Sequence, residues 1–485
     1  MTEILDQYTL AVNSIDVDVT ISTDRDRTVP LYEINIQEIT ENTKLMLNRV
    51  REDFINRLDL SELEHDKFEE DDSIQDKFKE NISDLVGDYF PNADPQTQKT
   101  LINYLLQENL GLGRLEILLQ DKRMEELVVN NHEEPVQLYH QDHGWVETNV
   151  KINTESRIRH YSTMIGREVN KEITGLKPLL DARLESGDRV NATLQPISSN
   201  GNTITIRKFA EDPWTITKFL KIGTVGVAAA SFIWLAVENE LSMLIAGGTG
   251  SGKTSMLNVV ANFLPPGQRT ISIEDTRELQ LPKNLHWVPM ETREPNPEGK
   301  GGVSMLDLVV NSLRMRPDRI VVGEIRQKEE AQTLVEAMLT GHSCYATVHA
   351  NNAEETITRL TNPPIDIPNK MVSAIDLLLI QNRNRRSGER HTLQVAEVTD
   401  EGEANVLLQY DPKKGYMEKV GQFQRILDQL ELYTGMTKQE IQDDLYRKEI
   451  ILRWLVDNNI DHIHNVGRVM ARYYTDRVTV EPLQE

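Results

Sequence analysis

The most constraining feature of the sequence is a glycine-rich loop between an apolar run and a run with helical spacing. The stretch LSMLIA ends at Ala246, GGTGSGKT extends from Gly247 to Thr254, and KTSMLNVVANF continues beyond it. The pattern G-x-x-x-x-G-K-[ST] between a strand and a helix is typical of a P-loop, because backbone N–H groups and the helix N-terminus both face a bound phosphate. The sequence therefore predicts a phosphate site at the carboxyl end of a strand.

The loop residues are predicted to bind ATP together with Mg²⁺. Lys253 is expected to bridge the β- and γ-phosphates, and the Thr254 hydroxyl is expected to bind Mg²⁺. The full set of predicted nucleotide-binding residues in the loop is Gly247, Gly248, Thr249, Gly250, Ser251, Gly252, Lys253, Thr254 and Ser255.

Two acidic positions follow later strands. Glu274 and Asp275 end ISIED, and Glu324 ends RIVVGE, with Gly323 at the place where a Mg²⁺-organising Asp is usual. In an open parallel sheet these strand ends face the ligand crevice. Hydrolysis needs one carboxylate to orient water and another to hold the Mg²⁺ shell. Glu274 and Glu324 are both predicted as catalytic, and Glu324 also as a metal ligand, but the sequence does not rank them.

Two histidines flank a short apolar strand in TGHSCYATVHANN. His342 precedes the strand and His349 follows it. A histidine at such a strand end can sense the γ-phosphate or polarise water, although a lone histidine is more often structural. No third residue has a spacing that favours a metal site.

The order of strands and helices predicts an α/β fold class. Apolar strands alternate with helices from about 213 to 400, the pattern of a parallel sheet. The C-terminal part is predicted to be helical, with a capping box formed by Thr437 and Glu440. The predicted regions are a loosely ordered N-terminus (1–30), a helical region (31–110), an α/β domain (111–212), a P-loop ATPase domain (213–405) and a helical C-terminal region (406–485).

Charge and composition exclude several classes of function. The chain has 53 Lys and Arg against 77 Asp and Glu, a net charge of −24, which disfavours direct binding of nucleic acid. One stretch of this acidic chain, QNRNRRSGER, is basic; its arginines are Arg383, Arg385, Arg386 and Arg390. It is more simply interpreted as a solvated loop between strands than as a contact site for an acidic partner. One cysteine, Cys344, excludes a disulfide framework or a tetracysteine zinc module. Since the sequence shows neither a signal peptide nor an apolar run long enough to span a bilayer, a cytoplasmic location is expected.

Taken in order, four motifs resemble the type II/IV secretion-system ATPases. They are GGTGSGKT, SIEDTREL, LRMRPDRIVVGEIR and TGHSCYATVHANN, and the similarity extends upstream through EELVVNN, PLLDARLESGDRVNATLQ and TITIRKF. PWTITKFL and RTISIEDTRELQLPKNLHWVP most resemble the archaeal branch. The single cysteine departs from bacterial members that carry a tetracysteine module.

The resemblance implies a RecA-like P-loop motor domain preceded by a smaller α/β domain, with six chains in a ring. It implies that ISIED is the Asp box and that His342 and His349 belong to the His box. It also implies that Arg183, Arg189 and Arg207 reach phosphates, partly across a subunit interface; Arg277 and Arg326 are weaker candidates.

The expected function is an ATP-hydrolysing motor, peripheral at the inner face of the cell membrane. Its implied partners are a polytopic membrane platform protein and a pilin-like or archaellin-like client. The alternatives are a conjugation-type or DNA-handling ATPase and a nucleotide-gated assembly module with little turnover. The sequence leaves open pilus, archaellum, secretion or conjugation, and also assembly or retraction.

Overall fold

The computed structural model describes residues 2–12, 15–25, 27–36, 39–57, 71–209, 212–295 and 299–476. The chain divides into two compact units, Met1–Glu211 and Asp212–Glu485. The sequence placed the start of the ATPase domain at 213, next to this division. Among the helices of the described ranges, none is long and apolar enough to cross a bilayer.

The first unit is built on a nine-stranded sheet in the order β1-β2-β3-β6-β5-β4-β9-β8-β7. Its strands are β1 (Glu3–Val12), β2 (Ile15–Thr23), β3 (Leu31–Ile36), β4 (Met124–Val129), β5 (Gln137–His140), β6 (Gly144–Thr148), β7 (Leu179–Arg183), β8 (Arg189–Thr193) and β9 (Thr203–Arg207). Its helices are α1 (Glu41–Arg57), α2 (Asp71–Tyr89), α3 (Pro95–Leu110), α4 (Arg114–Leu119) and α5 (Glu155–Glu168). Neighbouring strands are antiparallel except for the parallel pair β3 and β6.

The prediction of a loosely ordered N-terminus at 1–30 is wrong for the described residues. β1 and β2 pair as an antiparallel hairpin, and alternate residues of β2, including Val17 and Val19, are fully buried. The alternation in IDVDVTIST is the pattern of a half-buried strand. Asp121, itself buried, accepts hydrogen bonds from the Tyr8 and Tyr32 hydroxyls and so fixes β1 and β3 to the rest of the unit.

The region 31–110 is helical as predicted only after its first strand, β3. α1 buries one face in the apolar core of this unit and packs against α2 and α3, which follow it. Residues 58–70 of this region lie outside the described residues.

The second unit also contains a nine-stranded sheet, in the order β12-β11-β13-β14-β10-β15-β16-β17-β18. Its strands are β10 (Met243–Gly247), β11 (Arg269–Glu274), β12 (His286–Glu291), β13 (Arg319–Val322), β14 (Ser343–Val348), β15 (Leu377–Arg383), β16 (Arg390–Val398), β17 (Ala404–Asp411) and β18 (Tyr416–Lys419). Its helices are α6 (Ile216–Lys221), α7 (Val227–Glu238), α8 (Lys253–Ala261), α9 (Met305–Ser312), α10 (Lys328–Leu339), α11 (Ala353–Thr361), α12 (Asn369–Val372), α13 (Ile426–Thr434), α14 (Lys438–Asp457) and α15 (Ile463–Asp476).

The six strands from β12 to β15 are parallel, and β15 to β18 form an antiparallel meander. The strands predicted at LSMLIA, ISIED, RIVVGE and within TGHSCYATVHANN are confirmed as β10, β11, β13 and β14. Side chains of β10 alternate between two apolar cores, Met243 and Ile245 on one face and Leu244 and Ala246 on the other. A parallel sheet covered by helices on both faces gives strands that are apolar throughout. The unit is thus an α/β domain with a mostly parallel sheet and a glycine-rich loop between β10 and α8, in agreement with the fold class expected from the sequence.

Of the predicted helical region 406–485, the described residues up to 476 are helical only from α13 onward, which corrects the prediction. β17 and β18 come first, joined by a turn in which the Asp411 carboxylate accepts from the Lys413 N–H at 2.8 Å and Gly415 has a φ of +77°. The capping box of α14 is confirmed: the Glu440 carboxylate accepts from the Thr437 hydroxyl at 2.8 Å.

Candidate functional site

The glycine-rich loop leaves β10 at Gly247 and enters α8 at Lys253. Gly250 and Gly252 have φ angles of +70° and +91°, which L side chains rarely adopt. A Cβ on Gly247 would lie 2.3 Å from the Ser251 Oγ, an atom that donates to the Gly248 carbonyl at 2.8 Å. Glycine is therefore required at these turns by geometry, and the loop closes tightly enough to cradle an anion.

Lys253 begins a chain of contacts away from the loop. Its Nζ lies 3.1 Å from the Gly248 carbonyl and 3.3 Å from Nδ1 of His349. Nε2 of His349 lies 2.9 Å from Oε1 of Glu324. Since Nδ1 faces an ammonium donor, the tautomer that satisfies both contacts carries its proton on Nε2 and donates to Glu324.

The charges at this site set the protonation of its members. Burial lowers the pKa of Lys253, while the carboxylates of Glu324 and Glu278 act in the opposite direction. Burial, followed by the charge of Lys253, lowers the pKa of His349, while Glu324 raises it. His349 is therefore neutral at pH 7, which agrees with the tautomer that carries its proton on Nε2.

Glu324 is held on its other side by Arg326. Arg326 Nη2 lies 2.7 Å from Glu324 Oε2, and its Nη1 lies 2.6 Å from Asp275 Oδ2. The guanidinium thus joins the two acidic strand ends that the sequence singled out. Arg326, which the sequence ranked as a weak candidate, is part of this network.

Glu274 has different surroundings. Its side chain is 2% exposed, and its Oε1 accepts from the backbone N–H groups of Glu278 and Leu279 at 2.8 and 3.0 Å. Its Oε2 is buried with no hydrogen-bond partner among the described residues. Burial raises the pKa of Glu274 to about 7. A side chain on Gly323 would begin 3.3 Å from Glu274 Cγ, so glycine at this position allows the two strand ends to approach.

His342 is not brought to the loop of its own chain. It precedes β14 whereas His349 follows it, so the two lie at opposite ends of that strand. Nδ1 of His342 lies 3.2 Å from the Ala337 carbonyl and 3.3 Å from the Thr340 hydroxyl. Within one chain its environment is that of a histidine at the end of a helix.

The predicted arginines of the first unit form a row. Arg183 is opposite Arg189 across β7 and β8, and Arg189 is opposite Arg207 across β8 and β9. Directly opposed residues project to the same face of a sheet. Asp181 pairs with Arg189 at 2.8 Å, and the Arg183 guanidinium lies 5.7 Å from the centre of the Phe209 ring.

Arg277 and Thr254 lie in different surroundings. Arg277 places its guanidinium 4.8 Å from the centre of the Trp287 ring, so it packs within its own unit. Thr254 lies half-buried in the first turn of α8, next to Lys253. No group of three or more His, Cys, Asp or Glu side chains suited to a metal exists among the described residues. A hydroxyl at the end of a phosphate loop still fits Mg²⁺, which binds one or two protein oxygens together with phosphates and water.

The sequence missed two arginines at the loop. Arg390 Nε donates to the Gly250 carbonyl at 3.0 Å, and Arg383 Nη1 lies 3.4 Å from the point where a side chain on Gly250 would begin. Arg385 and Arg386 are exposed at the hairpin tip, as the solvated-loop interpretation predicts. The sequence signal for these two residues is the cluster of arginines in a strongly acidic chain. Only the pairing of the strands indicates which of these arginines lie at the loop.

Comparison with known proteins identifies the family. Residues 115–406 match the family described as "Type II/IV secretion system protein". An uncharacterized protein of Methanocaldococcus jannaschii is 27% identical over 98% of this chain and 89% of its own length. The type IV secretion system protein PtlH of Bordetella pertussis is 30% identical over 62% of this chain and 95% of its own. A crystal structure of the VirB11 ATPase from the Brucella suis type IV secretion system is 24% identical, covers 59% of this chain and 93% of that one, and aligns with a TM-score of 0.31. From its phosphate loop, its acidic strand ends and the match over most of its length, the chain belongs to the type II/IV secretion system protein family.

Proposed function

We propose that this protein hydrolyses ATP and uses the energy to drive a filament-assembly or secretion machine at a membrane. The observation that carries the proposal is the chain of contacts from Lys253 through His349 to Glu324. It links the residue that binds phosphates in a P-loop to a carboxylate at the end of a neighbouring strand. A phosphate-binding loop alone would not require that connection.

In this site Lys253 binds the phosphate chain and compensates its charge. Glu324, next to it, orients the attacking water or holds the Mg²⁺ shell, and the Thr254 hydroxyl supplies a second oxygen ligand. Neutral His349 fixes the Glu324 carboxylate, so that a change at the phosphates is transmitted to β14. Bound Mg²⁺ would supply charge neutralisation between the phosphates.

Glu274 is the second candidate for the catalytic carboxyl group. Its raised pKa, about 7, suits proton transfer near neutral pH. Its Oε1 is occupied by two backbone N–H groups, and this favours a role in holding the turn after β11. The structural surroundings therefore favour Glu324 for the step at the phosphate.

The larger assembly is part of the proposal. We infer a homo-oligomer, a hexamer by family resemblance, in which Arg183, Arg189 and Arg207 reach phosphates in part across a subunit interface. The protein would lie in the cytoplasm at the inner face of the membrane, against a polytopic platform protein and a pilin-like or archaellin-like client. The match to the Methanocaldococcus jannaschii relative along nearly the whole chain favours the archaeal-type branch.

A conjugation-type or DNA-handling ATPase is the second candidate function. The similarity to PtlH over 95% of that protein favours it. The net charge of −24 opposes direct contact with DNA. Turnover that rises on adding duplex or single-stranded DNA would favour this alternative, whereas turnover independent of DNA favours the filament or secretion motor.

The catalytic test is phosphate release by the full chain. Lys253→Ala should lower turnover by about 10²-fold or more, the scale seen when one charge-stabilising donor is removed from an active site. Glu324→Gln should bind ATP and release little phosphate. Lys370→Ala, an exposed lysine in α12 before β15, is the matched control and should behave like the wild type. Wild-type turnover in Lys253→Ala would refute the loop assignment, and binding without release by the wild type would indicate a nucleotide-gated module.

The partner test is purification of the Glu324→Gln variant from native membranes with ATP present. Recovery of a polytopic membrane protein and pilin-like subunits would support the filament motor. Recovery of channel and DNA-processing proteins would favour conjugation-type transfer.

A further inference from the structure

The β15–β16 hairpin carries a concentration of positive charge in an otherwise acidic chain. Arg383 ends β15 and Arg390 begins β16, and the two are directly opposite each other in the register. Arg385 and Arg386 occupy the exposed tip. Two arginines are thus presented side by side at the base of the hairpin, where β15 leaves the parallel sheet.

The base of this hairpin packs against the phosphate loop of the same chain. Arg390 Nε donates to the Gly250 carbonyl at 3.0 Å, and its Cδ lies 3.6 Å from the point where a side chain on Gly252 would begin. Arg383 Nη1 approaches the corresponding point on Gly250 at 3.4 Å. Both glycines have positive φ angles, so the arginines lie beside the turns that shape the anion cradle.

Local contacts hold the hairpin base in this position. Gln381, the last residue of β15 paired with β10, donates from Nε2 to the Thr392 hydroxyl at 3.0 Å. The Thr392 N–H donates to the Thr224 carbonyl at 2.7 Å. Arg390 therefore lies in a paired strand that is held by contacts with both Gln381 and Thr224. Binding residues on such rigid elements are positioned more precisely than those on loops.

Arg390 uses only part of its hydrogen-bonding capacity on the protein. Nε binds the Gly250 carbonyl, while neither Nη atom has a hydrogen bond or carboxylate partner among the described residues. A guanidinium is always charged and presents its donors as a planar fork that matches phosphate oxygens. A half-buried guanidinium with two nitrogens available beside a phosphate loop is suited to an anionic ligand.

The sheet order separates this cation from the catalytic carboxylates. β10 lies between β14 and β15, so His349 and Glu324 approach the loop from one side and Arg390 from the other. Since Arg390 lies on the side of the loop remote from Glu324, we expect its contacts with a bound nucleotide to stay the same while the γ-phosphate reacts. Interactions that are equal in the ground and transition states alter binding without altering the chemical step.

We propose that Arg390, with Arg383 beside it, binds the phosphate chain of the nucleotide in the loop of its own chain. The hairpin thereby supplies positive charge on a second side of the loop, which binds the phosphates of the nucleoside diphosphate and of the triphosphate alike. This inference rests on the proposed ATPase function, and it assigns a nucleotide-binding role to a hairpin outside the four sequence motifs.

The test is ADP binding to the full chain by titration calorimetry, together with steady-state ATP hydrolysis. Arg390→Gln should weaken ADP binding by about 10- to 100-fold, the range for a hydrogen bond to a charged group. The KM for ATP should rise similarly while kcat at saturating ATP changes little. Arg383→Gln should weaken ADP binding in the same direction and provides a second variant if the first is poorly folded. Arg385→Gln, which removes the same charge at the hairpin tip, should bind ADP like the wild type.

Arg390→Lys separates phosphate binding from support of the loop. Lysine retains a cation that reaches phosphate but lacks the Nε that binds the Gly250 carbonyl, so it should restore ADP affinity to within a few-fold of the wild type. If Arg390→Lys binds ADP as weakly as Arg390→Gln, then Arg390 only supports the loop, and the inference is overturned. Wild-type affinity in both Arg390→Gln and Arg383→Gln would do the same.

Failure of the broader proposal gives a different pattern. If the wild type binds neither ADP nor ATP, or if Lys253→Ala binds them unchanged, the ATPase assignment itself fails. If Lys253→Ala loses nucleotide while the arginine variants do not, only the role of the hairpin is rejected.

Discussion

Glu274→Gln should change how stability depends on pH. Burial raises the pKa of Glu274 from an ordinary 4.5 to about 7 in the folded protein. Between these values the folded chain holds a proton that the unfolded chain has lost, so the free energy of unfolding falls as pH rises. A difference of two to three units at 1.36 kcal/mol each gives a loss of roughly 3 kcal/mol, fully developed above pH 7.

Glutamine removes this titration and keeps the carbonyl oxygen that accepts from the Glu278 and Leu279 N–H groups. Its amide nitrogen would occupy the place of Oε2, which is buried without a hydrogen-bond partner among the described residues. The cost of burying this amide nitrogen is independent of pH. The prediction therefore concerns how the free energy of unfolding changes with pH, not its absolute value. Relative to the wild type, Glu274→Gln should gain stability from pH 5 to about pH 7 and then level off by pH 8.

The assay is urea unfolding at several pH values, followed by tryptophan fluorescence. Four of the five tryptophans lie in the second unit, which contains Glu274. Glu336→Gln, which removes an exposed carboxyl from α10, is the control and should parallel the wild type. A constant difference between Glu274→Gln and the wild type across this pH range would refute the reasoning.

Two further substitutions test the loop and the C-terminal helices. Gly247→Ala should abolish ADP binding and destabilise the second unit by about 1–3 kcal/mol, because its Cβ would lie 2.3 Å from the Ser251 Oγ; calorimetry with ADP and urea unfolding measure both, and unchanged binding would contradict the close approach. Lys448→Met should destabilise the protein by about 3–5 kcal/mol, because it leaves the carboxylates of Asp444 and Glu238 without their buried cation. Thermal unfolding measures this, the exposed Lys438→Met is its control, and equal loss in the two variants would rule out a special role for the buried lysine.

Local sequence determined the parts of the site that depend on neighbours in the chain. Gly250 and Gly252 have positive φ angles that disfavour side chains, and a Cβ on Gly247 would meet the Oγ of Ser251, four residues later in the same loop. Apolar runs ending in Glu274 and Glu324 likewise predict strand ends in a crevice. The alternation in IDVDVTIST also indicates a strand from local sequence, since alternate residues of β2 are buried.

Tertiary structure alone decided which of these residues meet. His342 and His349 are equivalent in the sequence, yet a six-residue strand separates them by roughly 20 Å, and only the later one lies at the loop edge. Glu324 is linked to Lys253 through His349 because β14 pairs between β13 and β10. Arg390 reaches Gly250 because β15 and β16 pair on the other side of β10. Strand order is set by burial of both sheet faces and by pairing between distant segments, and no local pattern in the sequence encodes it.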